Sequence, residues 1–297
     1  MDLRSLALGI GFAVMWSSAF TSAKFIVADA PPLTALALRF LISGLVGVAI
    51  ARAMGQSWRL TGAQWRATAL FGLCQNALYL GLNFMAMRSV DAGLASIVAS
   101  TMPLLVALAG WAVLGQRLRP LGVAGLAAGL TGVAVIMGSR ISGGVDGTGL
   151  AFCVAGVLAL TLATLSVRGA SSGGNVLMVV GLQMLVGSAI LAVAAAISEP
   201  WQVEWSAPLV LAFLYTTLVP GLLATFAWFV LVGRIGAVRA ATFHFLNPFL
   251  GVAIAAIVLG ERLGLLDVVG VAIIMAGILA VQLAKAPAPS APRRTAA

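Results

Sequence analysis

The most polar of the chain's long apolar segments carries three polar side chains at intervals of four residues: Gln75, Tyr79 and Asn83, with Asn76 beside the first. Residues at i, i+4 and i+8 share one face of an α-helix. Amide and phenol groups on one face can hold a small zwitterion while the phenol ring covers an apolar part of it. The same groups can instead join neighbouring helices by hydrogen bonds, and the spacing leaves both interpretations open.

A second polar face lies near the N-terminus, where Ser17, Thr21 and Lys24 follow Trp16 at helical spacing. An ammonium group on this face could neutralise the carboxylate of a bound molecule. Because Lys24 lies close to the end of its apolar segment, it could instead extend to the membrane surface or pair with Asp29. Both roles stay open, and all four residues of the face are candidates for binding.

The single histidine, His244, lies in the segment FHFLNPF with Asn247 and Pro248. A proline inside a helix removes one backbone hydrogen bond and frees a carbonyl, so we expect helix kinks at Pro248 and at Pro103 in an earlier segment. Polar backbone near the middle of a membrane is tolerated where it lines a cavity. Side chains that we expect to line such a cavity are His244, Asn247, Ser96, Ser100, Thr161, Thr164, Tyr215 and Trp228.

Several kinds of chemistry are not predicted. The segments contain no GxxxxGK[ST] phosphate loop and no HExxH metal motif, so we expect no catalytic residue, no metal and no cofactor. The two cysteines, Cys74 and Cys153, fall in apolar segments and indicate no disulfide. No Asp or Glu lies in the middle of a segment, which disfavours proton coupling through a buried carboxylate. Arg39 and Gln183 are assigned to helix packing.

These residues need apolar elements to position them. Of the 297 residues, 62% are hydrophobic and 8% are charged, with a mean hydropathy of +1.11, which excludes a water-soluble fold. Runs of about 20 apolar residues span a bilayer as helices, and the chain contains ten. We therefore predict an all-α membrane protein with spans at 5–28, 32–54, 65–87, 91–112, 119–138, 147–169, 175–196, 206–231, 237–259 and 264–284.

The basic residues predict how these spans are oriented. With the N-terminus inside, 12 Lys and Arg residues fall on the cytoplasmic side and three on the other, whereas seven of the eight acids fall outside. Basic residues near span ends favour the cytoplasm, so both termini are predicted to be cytoplasmic. Most of the basic residues that give the net charge of +9 then lie in the loops, and this distribution indicates no nucleic-acid binding.

The chain contains an internal repeat at an offset of 145 residues. It aligns Pro103 with Pro248 and LGQRL at 114–118 with LGERL at 259–263, and 12 of the 34 positions in 103–136 match 248–281 without a gap. Each half holds five spans, an odd number, so the copies must run in opposite directions through the membrane. We assign 1–140 to the first repeat, 141–285 to the second and 286–297 to a disordered cytoplasmic tail.

The segments MWSSAF (15–20) and PPLTALALRF (31–40), with the paired P-x10-LG-[QE]-RL segments, resemble the drug/metabolite transporter superfamily in its EamA-type branch. The resemblance extends over nearly the whole chain and is strongest to bacterial exporters of aromatic and neutral amino acids. It implies a multi-pass protein of the bacterial inner membrane, with a central cavity lined mainly by spans 1, 3, 4, 6, 8 and 9.

Inverted repeats are a recurrent design of secondary transporters. The sequence therefore predicts a non-enzymatic, alternating-access exporter of amino acids or similar metabolites, with membrane lipids around a monomer. Efflux of drugs or other metabolites is an alternative. From other classes, a membrane scaffold and a lipid-modifying enzyme also remain open.

Overall fold

The computed structural model describes residues 2–113, 115–166 and 174–284. Within these ranges ten helices are long and apolar enough to cross a membrane, and the described helix ends lie within four residues of the predicted ones, so the ten-span prediction is confirmed. The predicted tail and the end of predicted span 6, residues 167–169, lie outside the described residues. The helices are α1 (Leu3–Asp29), α2 (Pro32–Ala53), α3 (Gly62–Ala86), α4 (Ala92–Ala112), α5 (Pro120–Ser142), α6 (Gly147–Ser166), α7 (Val176–Ser198), α8 (Ala207–Ile235), α9 (Ala240–Leu259) and α10 (Leu265–Leu283).

Side chains from distant loops cap the equivalent helices α2 and α7. At the start of α2, the carboxylate of Glu199 accepts hydrogen bonds of 2.8 Å from the backbone amides of Leu33 and Thr34. At the start of α7, the side-chain oxygen of Gln56 accepts one of 3.0 Å from the amide of Met178. Leu33 and Met178 are 145 residues apart, the offset of the repeat. The first amides of a helix have no partner within it. In both repeats, a side-chain oxygen from a distant loop accepts hydrogen bonds from these amides.

The helices α5 and α10 cross closely at glycines. A Cβ atom on Gly277 would lie 2.6 Å from the carbonyl oxygen of Gly125, and one on Gly132 would lie 2.9 Å from that of Gly270. Adding 145 to the numbers of Gly125 and Gly132 gives Gly270 and Gly277. The contact of Gly277 with Gly125 is therefore equivalent, in the two repeats, to the contact of Gly132 with Gly270. The helices α2 and α7, also equivalent, pack along each other in a second pair.

Two helices change to π-helical geometry at equivalent positions. In α3 the π segment is Gly72–Tyr79, and in α8 it is Thr217–Leu223. Gly72 and Thr217 are again 145 residues apart. Such segments are rare and are frequently found at functional sites. In α8, Pro220 has no amide hydrogen, so an irregular hydrogen-bond pattern is expected there.

The helices α4 and α9 are interrupted just before their prolines. A regular helix ends at Ser100, Thr101 forms a turn, and the chain is helical again from Met102 with Pro103 in its first turn. In α9, a 3-10 turn at Phe243–Leu246 precedes the segment that begins with Asn247 and Pro248. All four irregular places lie on helices that surround a central cavity.

Candidate functional site

A cavity of about 560 Å³ lies between the two repeats. Residues of α1, α2, α3 and α4 line it from one repeat, and residues of α6, α7, α8 and α9 line it from the other. Among the described residues, α5 and α10 contribute none. The wall extends to Val176, the first residue of α7, so the cavity reaches the side of the molecule that carries the N-terminus.

Four rings form one wall of the cavity: Phe12 and Trp16 of α1, Trp228 of α8 and His244 of α9. The centroid of the Phe12 ring is 4.9 Å from that of Trp228, and the centroid of the His244 ring is 5.3 Å from that of Trp228. Phe12 and His244 meet edge to face at 5.4 Å. Offset and edge-to-face rings at these distances attract one another, so the wall is an ordered aromatic surface.

Neutral polar groups of α3 add to the lining of this space. Gln75, Asn76 and Tyr79 all line the cavity. The Asn76 side-chain amide donates a 2.9 Å hydrogen bond to the carbonyl of Gln183 on α7, and the Asn83 amide donates one of 2.9 Å to the carbonyl of Tyr79. Two of the amides are therefore anchored, and the lining combines hydrogen-bonding and aromatic surface.

A smaller lobe of about 50 Å³ continues from this cavity towards the far side of the molecule. It shares Trp16, Arg39, Gln75 and Tyr79 with the main cavity, and it adds residues closer to the far end of α3, including Asn83, Phe84 and Met87. The lobe is therefore the deep end of the cavity.

Polar contacts of Lys24 close the molecule beyond this lobe. The Lys24 ammonium donates hydrogen bonds of 2.7 Å to the carbonyl of Met87 and 2.9 Å to that of Val90, both at the far end of α3. Hydrogen bonds to a charged donor are stronger than neutral ones. The side chain thus joins α1 to α3 just behind Met87, which lines the lobe.

Charged side chains in loops and at helix ends add to this closure. The carboxylate of Glu261, between α9 and α10, accepts hydrogen bonds of 2.7 and 2.9 Å from the amides of Ala92 and Gly93 at the start of α4. The Arg140 guanidinium, at the end of α5, lies 2.9 Å from the carboxylate of Asp267 and 3.3 Å from that of Asp91. The contacts of Glu261 and Asp267 join the two repeats on the side opposite the cavity mouth.

Sequence reasoning proposed sixteen binding residues, and ten of them line the cavity or its lobe. They come from six helices. These residues are Trp16, Gln75, Asn76, Tyr79, Asn83, Ser100, Thr164, Trp228, His244 and Asn247.

The other six do not line either space: Ser17, Thr21, Lys24, Ser96, Thr161 and Tyr215. The hydroxyl of Ser17 is within 3.5 Å of the Asn247 side-chain oxygen, and that of Tyr215 is 2.8 Å from Ser18 Oγ. The Thr161 hydroxyl donates to the carbonyl four residues earlier. We therefore leave these six out of the proposed site. Of the two kink prolines, Pro103 lines the cavity and Pro248 does not.

A family model described as "EamA-like transporter family" matches residues 3–138 and again 147–283. The chain belongs to this family. The two matches correspond to the two repeats. Membrane transport is therefore the function of this EamA protein at the level of the family.

Relatives of this EamA protein are also named as transporters. It is 28% identical over 274 residues to "Uncharacterized transporter YvbV" of Bacillus subtilis (strain 168), covering 92% of this chain and 90% of the relative. It is 34% identical over 146 residues to "Aromatic amino acid exporter YddG" of Ancylobacter novellus, covering 47% of this chain and 49% of the relative. It is 26% identical over 287 residues to "Uncharacterized inner membrane transporter YedA" of Escherichia coli (strain K12), covering 94% and 90%.

A solved structure described as "Crystal structure of protein" has the same fold as this EamA chain. Its TM-score is 0.69 at 21% identity, and the match covers 95% of this chain and 99% of the other. The ten spans and the relatives identify the EamA protein as a multi-pass protein of the bacterial inner membrane, as predicted.

Arg39 is a residue of the EamA cavity that sequence reasoning assigned to packing instead. With α2 taken as peripheral, Arg39 was expected to lie away from the cavity, but its side chain lines both the cavity and the lobe. Gln183 of α7, its counterpart in the local alignment LRFL with LQML, also lines the cavity. A signal was present in the sequence, since an arginine seven residues inside an apolar span is costly unless it faces a cavity or a partner.

Proposed function

We propose that the protein is an alternating-access exporter of aromatic and neutral amino acids or similar small amphipathic metabolites. The cavity is the observation that carries this proposal, because both repeats line it and polar contacts of Lys24 and Glu261 join the helices beyond its far end. Its volume of about 560 Å³ lies within the range of roughly 300–1,000 Å³ that is usual for small-molecule sites.

The direction of transport follows from the predicted orientation. Basic residues predict that the N-terminus is cytoplasmic. The cavity then opens to the cytoplasm, and the contacts of Lys24 and Glu261 close it towards the outside. An exporter needs this conformation to load its cargo. Release requires that the far-end contacts break while the mouth closes.

The symmetry of the irregular segments supports an exchange between two such conformations. Equivalent π segments lie in α3 and α8, and equivalent interruptions lie in α4 and α9. Helices bend most readily where the regular hydrogen-bond ladder is broken. Two inverted repeats with equivalent bending points can adopt each other's conformation, which opens the cavity on the other side.

The walls of the cavity favour a cargo that is apolar at one end and polar at the other. The rings of Phe12, Trp16 and Trp228 can cover an aromatic or aliphatic side chain, and the amides of Gln75 and Asn76 can bind a polar head group. The name of the relative YddG, an aromatic amino acid exporter, agrees with this class of cargo.

Transport into liposomes tests the proposal. Purified protein is reconstituted, and uptake of labelled Phe, Met and Thr is compared with uptake into protein-free liposomes. We expect Phe to equilibrate at least several times faster with protein. If none of the three moves faster than in the control, the cargo proposal fails.

A lipophilic cation such as tetraphenylphosphonium serves as the second cargo in this assay. None of the described lining residues carries a carboxylate that would bind a cation, so we expect no accelerated uptake. Movement of this cation without movement of amino acids would instead favour drug efflux. Movement of neither would favour a scaffold or an enzyme.

A further inference from the structure

Arg39 is a buried cation for which the described part of the chain supplies no counter-ion. The residue is 7% exposed, its Nε atom is buried without a hydrogen-bond partner, and no ion pair or hydrogen bond of its guanidinium is present among these residues. The guanidinium lies over the ring of Phe40, and the distance from Arg39 Cζ to the ring centroid is 5.3 Å. A cation–π contact contributes less than a carboxylate partner does.

Such a charge is costly to bury within a membrane span, so a functional partner is expected for it. Arg39 lies seven residues into α2, about 10 Å from the start of the helix at 1.5 Å per residue. The acids that could pair with it lie at the far end of the molecule, where Glu199, Glu261 and Asp267 bind backbone amides or Arg140. These three carboxylates are thus engaged elsewhere.

The backbone of α8 approaches this guanidinium closely. Gly221, in the π segment, faces Arg39, and a Cβ atom at Gly221 would lie 3.7 Å from Arg39 Nη2 and 3.7 Å from Ser43 Oγ. The Ser43 hydroxyl is also buried without a partner. Two unpaired polar groups, one helical turn apart on α2, therefore lie against the same glycine.

Asn83 of α3 lines the same lobe as Arg39. Its side-chain nitrogen donates a hydrogen bond to the Tyr79 carbonyl, and its side-chain oxygen is buried without a hydrogen-bond partner. A water molecule needs about 10–15 Å³ of cavity volume, so the lobe of about 50 Å³ has space for roughly four water molecules. This is enough for a small head group and too little for a large side chain.

We propose that Arg39 binds the carboxylate of the transported amino acid in this lobe, while Asn83 Oδ1 accepts a hydrogen bond from its ammonium. The side chain of the cargo extends into the wider cavity between the aromatic rings. This inference rests on the proposed function and narrows it: the cargo must carry a free carboxylate. A single guanidinium also favours a singly charged head group over a doubly charged one.

Analogues of one cargo test the inference on the unchanged protein. In liposomes preloaded with unlabelled Phe, we compare competition by phenylalanine, phenylalaninamide and phenethylamine against labelled Phe. The last two keep the ring and the ammonium but lack the carboxylate. We expect both to compete at least tenfold more weakly than phenylalanine, as is usual when a hydrogen-bonded charge loses its partner.

Variants then assign the carboxylate to Arg39. Arg39→Gln should weaken competition by phenylalanine at least tenfold. It should also bring the ratio of the inhibition constants of phenylalaninamide and phenylalanine close to one. Arg39→Lys should keep part of the preference for phenylalanine. Arg59→Gln, the same change at an exposed loop position, is the matched control and should leave the ratio unchanged. Because a purely structural role of Arg39 would weaken all analogues equally, the ratio is the deciding measurement.

A further variant tests the ammonium contact. Asn83→Ala should weaken competition by phenylalanine but not competition by 3-phenylpropionate, which has the carboxylate and lacks the ammonium. If the unchanged protein transports Phe but accepts phenylalaninamide equally well, the Arg39 inference is wrong and the proposed function stands. If it transports no amino acid at all, the proposed function and this inference both fail. These results do not depend on the folding of any variant.

Discussion

The carboxylate of Glu261 accepts a 2.7 Å hydrogen bond from the backbone amide of Ala92, and so ties the loop after α9 to the start of α4. The two residues lie in different repeats and 169 positions apart. In the first repeat, the residue at the position equivalent to Glu261 is Gln116. The far end of the molecule thus uses a charged acceptor where the sequence of the other repeat has a neutral amide.

Glu261→Gln should loosen this end of the molecule. A carboxylate accepts a stronger hydrogen bond than an amide oxygen, and a loss of about 1–2 kcal/mol corresponds to roughly a tenfold change in an equilibrium. We expect the amides near Ala92 to exchange with deuterium about tenfold faster, as measured by mass spectrometry. Glu204→Gln, at an exposed position on the same side, is the control. Equal exchange in both variants would contradict the prediction.

Lys24→Met should weaken the closure between α1 and α3 without removing a contact to cargo. The variant loses two hydrogen bonds from a charged donor, each contributing about 1.5–3 kcal/mol. We expect the melting temperature to fall by about 5 °C or more and the KM for labelled Phe to stay within about twofold of its original value. A raised KM with an unchanged melting temperature would show instead that Lys24 contacts the cargo.

Trp228→Ala should weaken the binding of aromatic cargo. The Trp228 ring packs against Phe12 and His244 at the cavity wall, and an aromatic contact contributes about 0.5–1.5 kcal/mol beyond its buried area. We expect the KM for Phe to rise about tenfold and that for Thr to rise less. Trp228→Phe should give a smaller rise, which separates loss of a ring from loss of folding. Trp201→Ala, at a residue 76% exposed, should leave both KM values unchanged.

Gly277→Ala should destabilise the pair of α5 and α10. The added Cβ would lie 2.6 Å from the carbonyl oxygen of Gly125 and 2.6 Å from the Cα atom of Gly129, so the helices must move apart. Overpacking of this kind costs about 1–3 kcal/mol, and we expect a lower melting temperature in detergent. Gly138→Ala is the matched control, because a Cβ there would meet nothing within 4 Å. An equal effect of both changes would refute close packing at Gly277.

Much of the candidate site could be predicted from the sequence. The four-residue spacing in span 3 led to Gln75, Tyr79 and Asn83, all of which line the cavity or its lobe. The π geometry of α3 was not predictable from this spacing, because periodicity is read on the assumption of a regular α-helix. The polar face of span 1 was less informative. Trp16 lines the cavity, whereas Lys24 binds carbonyl groups at the far end.

The sequence by itself determined the number of spans and the repeat, because both depend on local composition and on order along the chain. A run of about 20 apolar residues specifies a membrane helix wherever it occurs, and the offset of 145 residues is visible without any structure. The same reasoning could identify costly polar residues in the spans. It could not say which of them face the cavity.

Only the tertiary structure decided that question, since the neighbours of a side chain come from helices far away in the chain. Ser17 lies near Asn247, 230 positions away, and is enclosed, whereas Asn247 itself also lines the cavity. Arg39 lines the cavity and lies against Gly221 of the π segment of α8. The partners of a polar group within the membrane are set by how helices pack, and packing depends on contacts between distant segments of the chain.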